Sequence, residues 1–148
     1  MSRGFSSIGL HQPKYSNNIG SVLRACTVYD VSLLVTSGKR YEKHCTDTTA
    51  GYRHMPFIHS VQNLKDYIPY STVPVAVDIV PDAVNLYDYV HPPSAFYIFG
   101  PEDGTLGPSI TSWCRDVIYV PTKYCMNLAA TVNVVLYDRA AKLHRNFK

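Results

Sequence analysis

No stretch of this chain approaches the eighteen or more apolar residues that a membrane-spanning helix needs, which excludes a helical membrane protein. The opening MSRGFSSIGLHQ also lacks an apolar core of signal-peptide length, which predicts a soluble protein that stays in the cytoplasm. Cysteine is sparse. Cys26, Cys45, Cys114 and Cys125 form no C-x-x-C pair and fall at no metal-ligand spacing with the six histidines, so they read as reduced thiols and no metal is expected. A strong excess of one charge is missing too. The formal net charge of +3 is too small to establish nucleic-acid binding, and only the clustering of the charges can speak to it. Repeats, low-complexity tracts and Gly/Ser- or Pro-rich linkers are absent, so the chain reads as a single domain over 1–148. A chain of 148 residues can bury roughly 70% of the surface its unfolded form exposes. Its 46% hydrophobic and 17% charged residues are those of a globular protein.

What is present alternates between strand-like and helix-like segments. FSSIGL (Phe5 to Leu10) is short and bounded by Gly4 and His11-Gln12-Pro13, which suits a first strand. KYSNN (Lys14 to Asn18) then offers three N-cap candidates. Ile19, Val22, Leu23 and Cys26 follow at i, i+3, i+4 and i+7, the stripe of an amphipathic helix ending near Tyr29. Arg24 lies about 150° from the centre of that stripe at 100° per residue, and on spacing alone it reads as a solvated arginine. VSLLVT (Val31 to Thr36) and AFYIF (Ala95 to Phe99) read as buried strands, as does VPVAVDIV (Val73 to Val80), where Asp78 is the one polar interruption and reads as a cap or turn residue. Phe57 to Ser60 suggests a short strand and Val61 to Tyr67 a short helix.

Two stretches carry possible chemistry. Between Gly38 and His54, Lys39, Arg40, Lys43 and Arg53 are interleaved with Tyr41 and Tyr52. That mixture suits single-stranded RNA, whose phosphates attract cations and whose bases stack on rings, although a solvated loop with two packing tyrosines explains it equally well. GPEDGTLG (Gly100 to Gly107) follows an apolar strand directly and opens a helix through Ile110 and Trp113. Its glycines allow φ > 0 and a close ligand approach, but it is neither a P-loop nor a dinucleotide fingerprint. The chain closes on a strand from Asp116, a break at Pro121, and a long helix starting at Asn127 with Leu128, Val132, Val135, Leu136 and Leu143 on one stripe. Arg139, Lys142, His144, Arg145 and Lys148 read as its solvated basic end.

Three separated pieces, SNNIGSVLRAC (Ser16 to Cys26), FGPEDGTLG (Phe99 to Gly107) and VIYVPTKYCMNLA (Val117 to Ala129), resemble in that order the three motifs of the SpoU/TrmH branch of the SPOUT RNA methyltransferases. The match spans nearly the whole chain and is similar in plan to the minimal TrmL-type tRNA ribose methyltransferases. The resemblance implies an α/β fold around a mostly parallel sheet flanked by helices, with a deep C-terminal trefoil knot. It also implies a homodimer, S-adenosylmethionine as cofactor, and RNA as partner, with tRNA favoured and rRNA possible.

Carried over residue by residue, the resemblance places Arg24 and Asn18 in the first motif, Gly100 and Glu102 in the second and Asn127 in the third. Arg24, Asn18, Glu102 and Asn127 are the implied catalytic set. Cofactor contacts are expected from Val77, Asp78, Gly100, Tyr119, Pro121, Cys125 and Met126. The chain departs from the family pattern in three places. Gly104 is one position early, with Thr105 preceding Leu106. The segment from Pro121 to Asn127 is about three residues short, and Cys125 stands where a serine is usual. The implied reaction is methylation of a ribose 2′-hydroxyl. Base methylation, or RNA binding without catalysis, are the alternatives.

Overall fold

The computed structural model describes residues 4–41, 53 and 55–147. Seven strands form one sheet: β1 (Ser6–Leu10), β2 (Leu34–Ser37), β3 (Phe57–Val61), β4 (Val73–Val77), β5 (Val84–Asn85), β6 (Ala95–Phe99) and β7 (Asp116–Tyr119). Among the described residues three α-helices accompany them: α1 (Ser16–Val28), α2 (Pro108–Thr111) and α3 (Leu128–Lys142). The strand order is β3-β2-β1-β6-β4-β7-β5 and every pairing is parallel. A parallel sheet needs covered faces, which explains why β1 and β6 are buried along their whole length.

Alternation along β6 shows how the layers are built. Tyr97 and Phe99 pack with Ile8, Leu10, Val75 and Val77 against α1 and α3. Phe96 and Ile98 point the other way, onto Leu64, Leu106 and Ile110. Gly9 lies on this second face, where a Cβ would come within 2.8 Å of the Phe96 ring, so the strand needs glycine to admit that ring. The apolar stripe of α1 (Ile19, Val22, Leu23, Cys26) is buried as its spacing predicts.

Several local expectations are corrected. None of the three N-cap candidates caps α1: its N-cap position is Tyr15, with no side-chain bond. The helix after GPEDGTLG is only Pro108–Thr111, with Trp113 beyond it. Of Gly100, Gly104 and Gly107, only Gly107 takes a positive φ (76°), at the point where the chain turns into α2. Asn127 is the N-cap of α3 rather than its first helical residue. Val61 to Tyr67 resolves into the end of β3 and a 3₁₀ turn at Leu64–Tyr67. Among the described residues, no helix is long and apolar enough to cross a membrane and no group of His, Cys, Asp or Glu could hold a metal ion.

Candidate active site

Parallel strands bring their C-terminal ends to one edge, and in open α/β sheets ligands bind there. In this chain β4, β6 and β7 end together at Val77, Phe99 and Tyr119, and the N-terminus of α3 arrives beside them. The space between is a cleft of about 190 Å³. Of the residues expected to contact the cofactor, Val77, Asp78, Gly100, Tyr119, Cys125 and Met126 line it. Pro121 does not; it lines a neighbouring groove with Tyr87, Val134 and Tyr137. Asp78 does more than end a strand. Its Oδ2 accepts from Leu106 N (3.1 Å) and its Oδ1 from Ile79 N (2.9 Å), so the loop after β6 is tied to the end of β4.

Three of the four expected catalytic residues form a continuous chain. Asn127 Oδ1 accepts from the N–H groups of Ala129 (2.9 Å) and Ala130 (3.2 Å), two of the unpaired donors at the start of α3. Its Nδ2 is thereby turned outward and donates to Asn18 Oδ1 at 3.2 Å. Asn18 must then present Nδ2 on its other side, where it donates to Glu102 Oε2 at 2.8 Å. Glu102 also accepts from Lys14 N at 2.9 Å and Tyr15 N at 3.2 Å. Each amide has only one orientation that satisfies both neighbours, so helix N–H groups at one end and a carboxylate at the other fix the polarity of the chain.

Burial pushes the Glu102 carboxyl up, but the bonds from Asn18 and from the backbone N–H groups of Lys14, of Glu102 itself and of Tyr15 outweigh it and hold it below the ordinary carboxylate range. A depressed folded-state value means that stability from this group is complete above its unfolded value, near 4.5, and is lost as pH falls through the folded one. Glu102→Gln places an NH₂ group among three donors. It is expected to cost about 1–2 kcal/mol at neutral pH and to flatten the acid limb of urea midpoints measured against pH below 4.5. An unchanged acid limb would show that the carboxylate is not held this way.

Arg24 stands apart. It is exposed on α1, does not line the cleft, and its side chain makes no hydrogen bond or ion pair among the described residues. Six residues beyond Asn18, it sits about 9 Å further along the helix. Of the basic residues expected to meet RNA, Lys39 and Arg53 are exposed, and Lys43 lies outside the described residues. Arg40 is engaged: its Nη2 reaches Asp103 Oδ2 at 2.5 Å and its Nη1 reaches Gln12 O at 3.4 Å. The guanidinium of Arg40 holds the Asp103 carboxyl below its usual range.

A polar cluster beneath α3 was missed by sequence reasoning. Arg139 is 3% exposed, not solvated, and donates to Pro92 O (2.8 Å), Pro93 O (2.7 Å) and the Tyr97 hydroxyl (3.3 Å). Tyr97 in turn bonds His91 Nδ1 (2.7 Å), and His91 Nε2 bonds Asp138 Oδ2 (2.7 Å). Lys142 joins by an ion pair to Asp138 and by bonds to Leu86 O and Tyr89 O. Burial lowers the pKa of His91 against the pull of Asp138, and raises that of Tyr97 to about 12. A signal was available. Arg139 follows Val135 and Leu136 at i+4 and i+3 and so belongs to the buried stripe.

The model of the SpoU rRNA methylase family matches residues 6–137. No curated protein sequence matches the chain. Among solved structures, the SpoU methyltransferase AviRb from Streptomyces viridochromogenes aligns with a TM-score of 0.82 at 18% identity, over 97% of this chain and 62% of that one. A structure concerned with the 2-OH methylation of C/U34 on tRNA gives 0.81 at 17% identity, over 98% of this chain and 94% of the other. The TrmH/SpoU tRNA modifying enzyme from A. aeolicus gives 0.79 at 18%, over 97% and 77%. This chain therefore spans about six-tenths of the length of AviRb. Identities this low show a shared fold: the α/β architecture with a parallel sheet flanked by helices. The family model covers all seven strands and most of α3, and on that match the chain belongs to the SpoU rRNA methylase family.

Proposed function

We propose that the protein is an S-adenosylmethionine-dependent RNA methyltransferase acting on a ribose 2′-hydroxyl, with tRNA favoured over rRNA as substrate. The observation that carries this reading is the Glu102–Asn18–Asn127 chain, which joins the three family motifs at the rim of one cleft. Support also comes from the relatives: AviRb is known in complex with AdoMet, and another neighbour concerns 2-OH methylation of tRNA.

The cleft residues fit such a cofactor. Val77, Ile79, Phe99 and Leu128 offer apolar walls to a purine ring. The loops at Gly100 and at Tyr119 to Met126 offer backbone donors and acceptors to a ribose and an amino-acid tail. A group of that kind supplies an electrophilic methyl on a sulfonium. The rest falls to this chain's own residues and the RNA. Asn127 orients the ribose or the cofactor, Asn18 transmits its position, and Glu102 holds the second loop against α1. Arg24 grips the phosphate beside the target ribose and stabilises charge developing on the 2′-oxygen while the hydroxyl proton leaves to phosphate or water. An arginine suits this electrostatic role better than that of a base, because a guanidinium keeps its proton.

Arg24 lies off its own cleft, so the site is completed by a second copy in a homodimer. The exposed Tyr87 and Tyr137, which line the Pro121 groove with Val134, supply an apolar surface of the kind a dimer buries. The test is incubation with methyl-labelled S-adenosylmethionine and either bulk tRNA or rRNA, followed by alkaline digestion. Label retained in alkali-resistant dinucleotides is the expected result, since a 2′-O-methyl group blocks cleavage at that ribose. Label released wholly in mononucleotides would instead indicate base methylation.

A further inference from the structure

Asp103 has no part in the chain of bonds described above, although it directly follows Glu102. Pro101, Glu102 and Gly104 line the cofactor cleft, whereas the Asp103 carboxylate turns to the far side of the loop. There it bridges two cations, Arg40 Nη2 at 2.5 Å and Lys14 Nζ at 3.7 Å. Lys14 and Arg40 line an open depression of about 240 Å³ together with Tyr15 and Tyr41. Tyr15 is 51% exposed, and Lys14 Nζ stands 5.3 Å from its ring centroid. Two cations beside an exposed ring make up the pair of features that single-stranded nucleic acid needs, one for the phosphate and one for the base.

We propose that Lys14, Arg40 and Tyr15 form a phosphodiester subsite for the RNA strand entering the cofactor cleft, and that Asp103 fills its anion position when RNA is absent. The proposal rests on the RNA methyltransferase reading and adds a substrate contact to it. A guanidinium receives carboxylate and phosphate oxygens in the same forked geometry, so the Asp103 carboxylate stands in for a phosphate. Its side chain and that of Arg40 are 43% and 36% exposed, and exposed pairs of this kind are held weakly. A polyanion that also releases its own counterions displaces such a carboxylate readily. The geometry links the two sites as well. Glu102 is bonded to Lys14 N and Tyr15 N, so the loop that walls the cofactor cleft also positions the subsite.

The test measures fluorescence anisotropy of labelled bulk tRNA with the full chain across a salt series. Asp103→Asn is expected to tighten binding at least threefold, whereas Asp66→Asn, the same charge change at a carboxylate of the 3₁₀ turn that pairs with neither Lys14 nor Arg40, leaves it within twofold. Arg40→Ala and Lys14→Ala are each expected to weaken binding and to reduce the slope of log affinity against log salt by about 0.7–0.9, the value of one lost phosphate contact. Equal effects of Asp103→Asn and Asp66→Asn, an unchanged slope in Arg40→Ala, or no tRNA binding by the unmutated chain would each overturn the subsite. Calorimetry with S-adenosylmethionine separates this from the underlying reading. A chain that binds no cofactor ends the methyltransferase assignment, while the salt series still decides the subsite.

Discussion

Replacing Arg24 by alanine is expected to lower methyl transfer about 10²–10³-fold, equivalent to about 3–4 kcal/mol of transition-state stabilisation, with S-adenosylmethionine affinity unchanged. The two halves of this expectation have separate causes. Arg24 is on the exposed side of α1 and off the cleft wall, so its loss leaves the cofactor pocket intact. If its charge faces the developing alkoxide, its loss raises the barrier, and lysine at the same position restores only part of the rate because it lacks the planar fork. Subunit mixing tests where the residue acts. Gly100→Leu adds bulk to the cleft wall, where its Cβ alone comes within 3.4 Å of Leu106 N, and is expected to block the cleft, so that each variant alone is expected to be inactive. Dimers formed from Arg24→Ala and Gly100→Leu chains would carry one intact site if the arginine serves its partner. A statistical mixture would then recover about a quarter of the unmutated activity. Recovery is absent if Arg24 serves its own chain, and unimpaired turnover in Arg24→Ala alone would remove the residue from the mechanism.

Arg139→Met is expected to cost about 3 kcal/mol of folding stability, a large share of the roughly 5–15 kcal/mol that a domain of this kind possesses. Methionine keeps much of the side-chain bulk but supplies none of the donors to Pro92 O, Pro93 O and the Tyr97 hydroxyl. Pro92 O and the Tyr97 hydroxyl lie buried under α3, where water cannot easily replace the guanidinium, so the penalty is chiefly that of these two unsatisfied buried groups, Pro93 being exposed. Arg145→Met is the comparison. Its Nη1 donates to Gly4 O in an exposed setting, and the loss there is expected to stay below about 1 kcal/mol. Urea denaturation of the two variants gives the contrast directly. Equal midpoints would mean that the cluster under α3 adds nothing.

The contrast between these two arginines shows what was legible in the chain before its structure. A run such as AFYIF declares its strand because burial on both faces leaves no polar position to confuse the reading, and Ala95–Phe99 matches residue for residue, whereas VPVAVDIV (Val73 to Val80) is a strand only over Val73–Val77 and ends before Asp78. The stripe of α1 was legible for the same reason. Tertiary contacts were not. The start of α1 offers Ser16, Asn17 and Asn18 as caps, yet Glu102, more than eighty residues away, binds Lys14 N, Tyr15 N and the Asn18 amide. No local rule could choose that partner. Arg139 reads as solvated because basic residues suit a helix C-terminus, whereas its periodicity places it with the residues that are buried. Six of the seven residues expected to contact the cofactor line the cleft, because strand ends and helix starts meet at one edge of a parallel sheet, whereas Pro121, only one residue beyond the Val120 of the cleft wall, turns to the neighbouring groove.

The central claim is that this site methylates a ribose oxygen, and one atom decides it. Once the modified nucleotide is located, the labelled-methyl assay is run on two synthetic RNAs that differ only in whether that nucleotide carries a 2′-hydroxyl. The account predicts methylation of the ribonucleotide form and none of the 2′-deoxy form, with both RNAs binding comparably. Equal methylation of the two would contradict it.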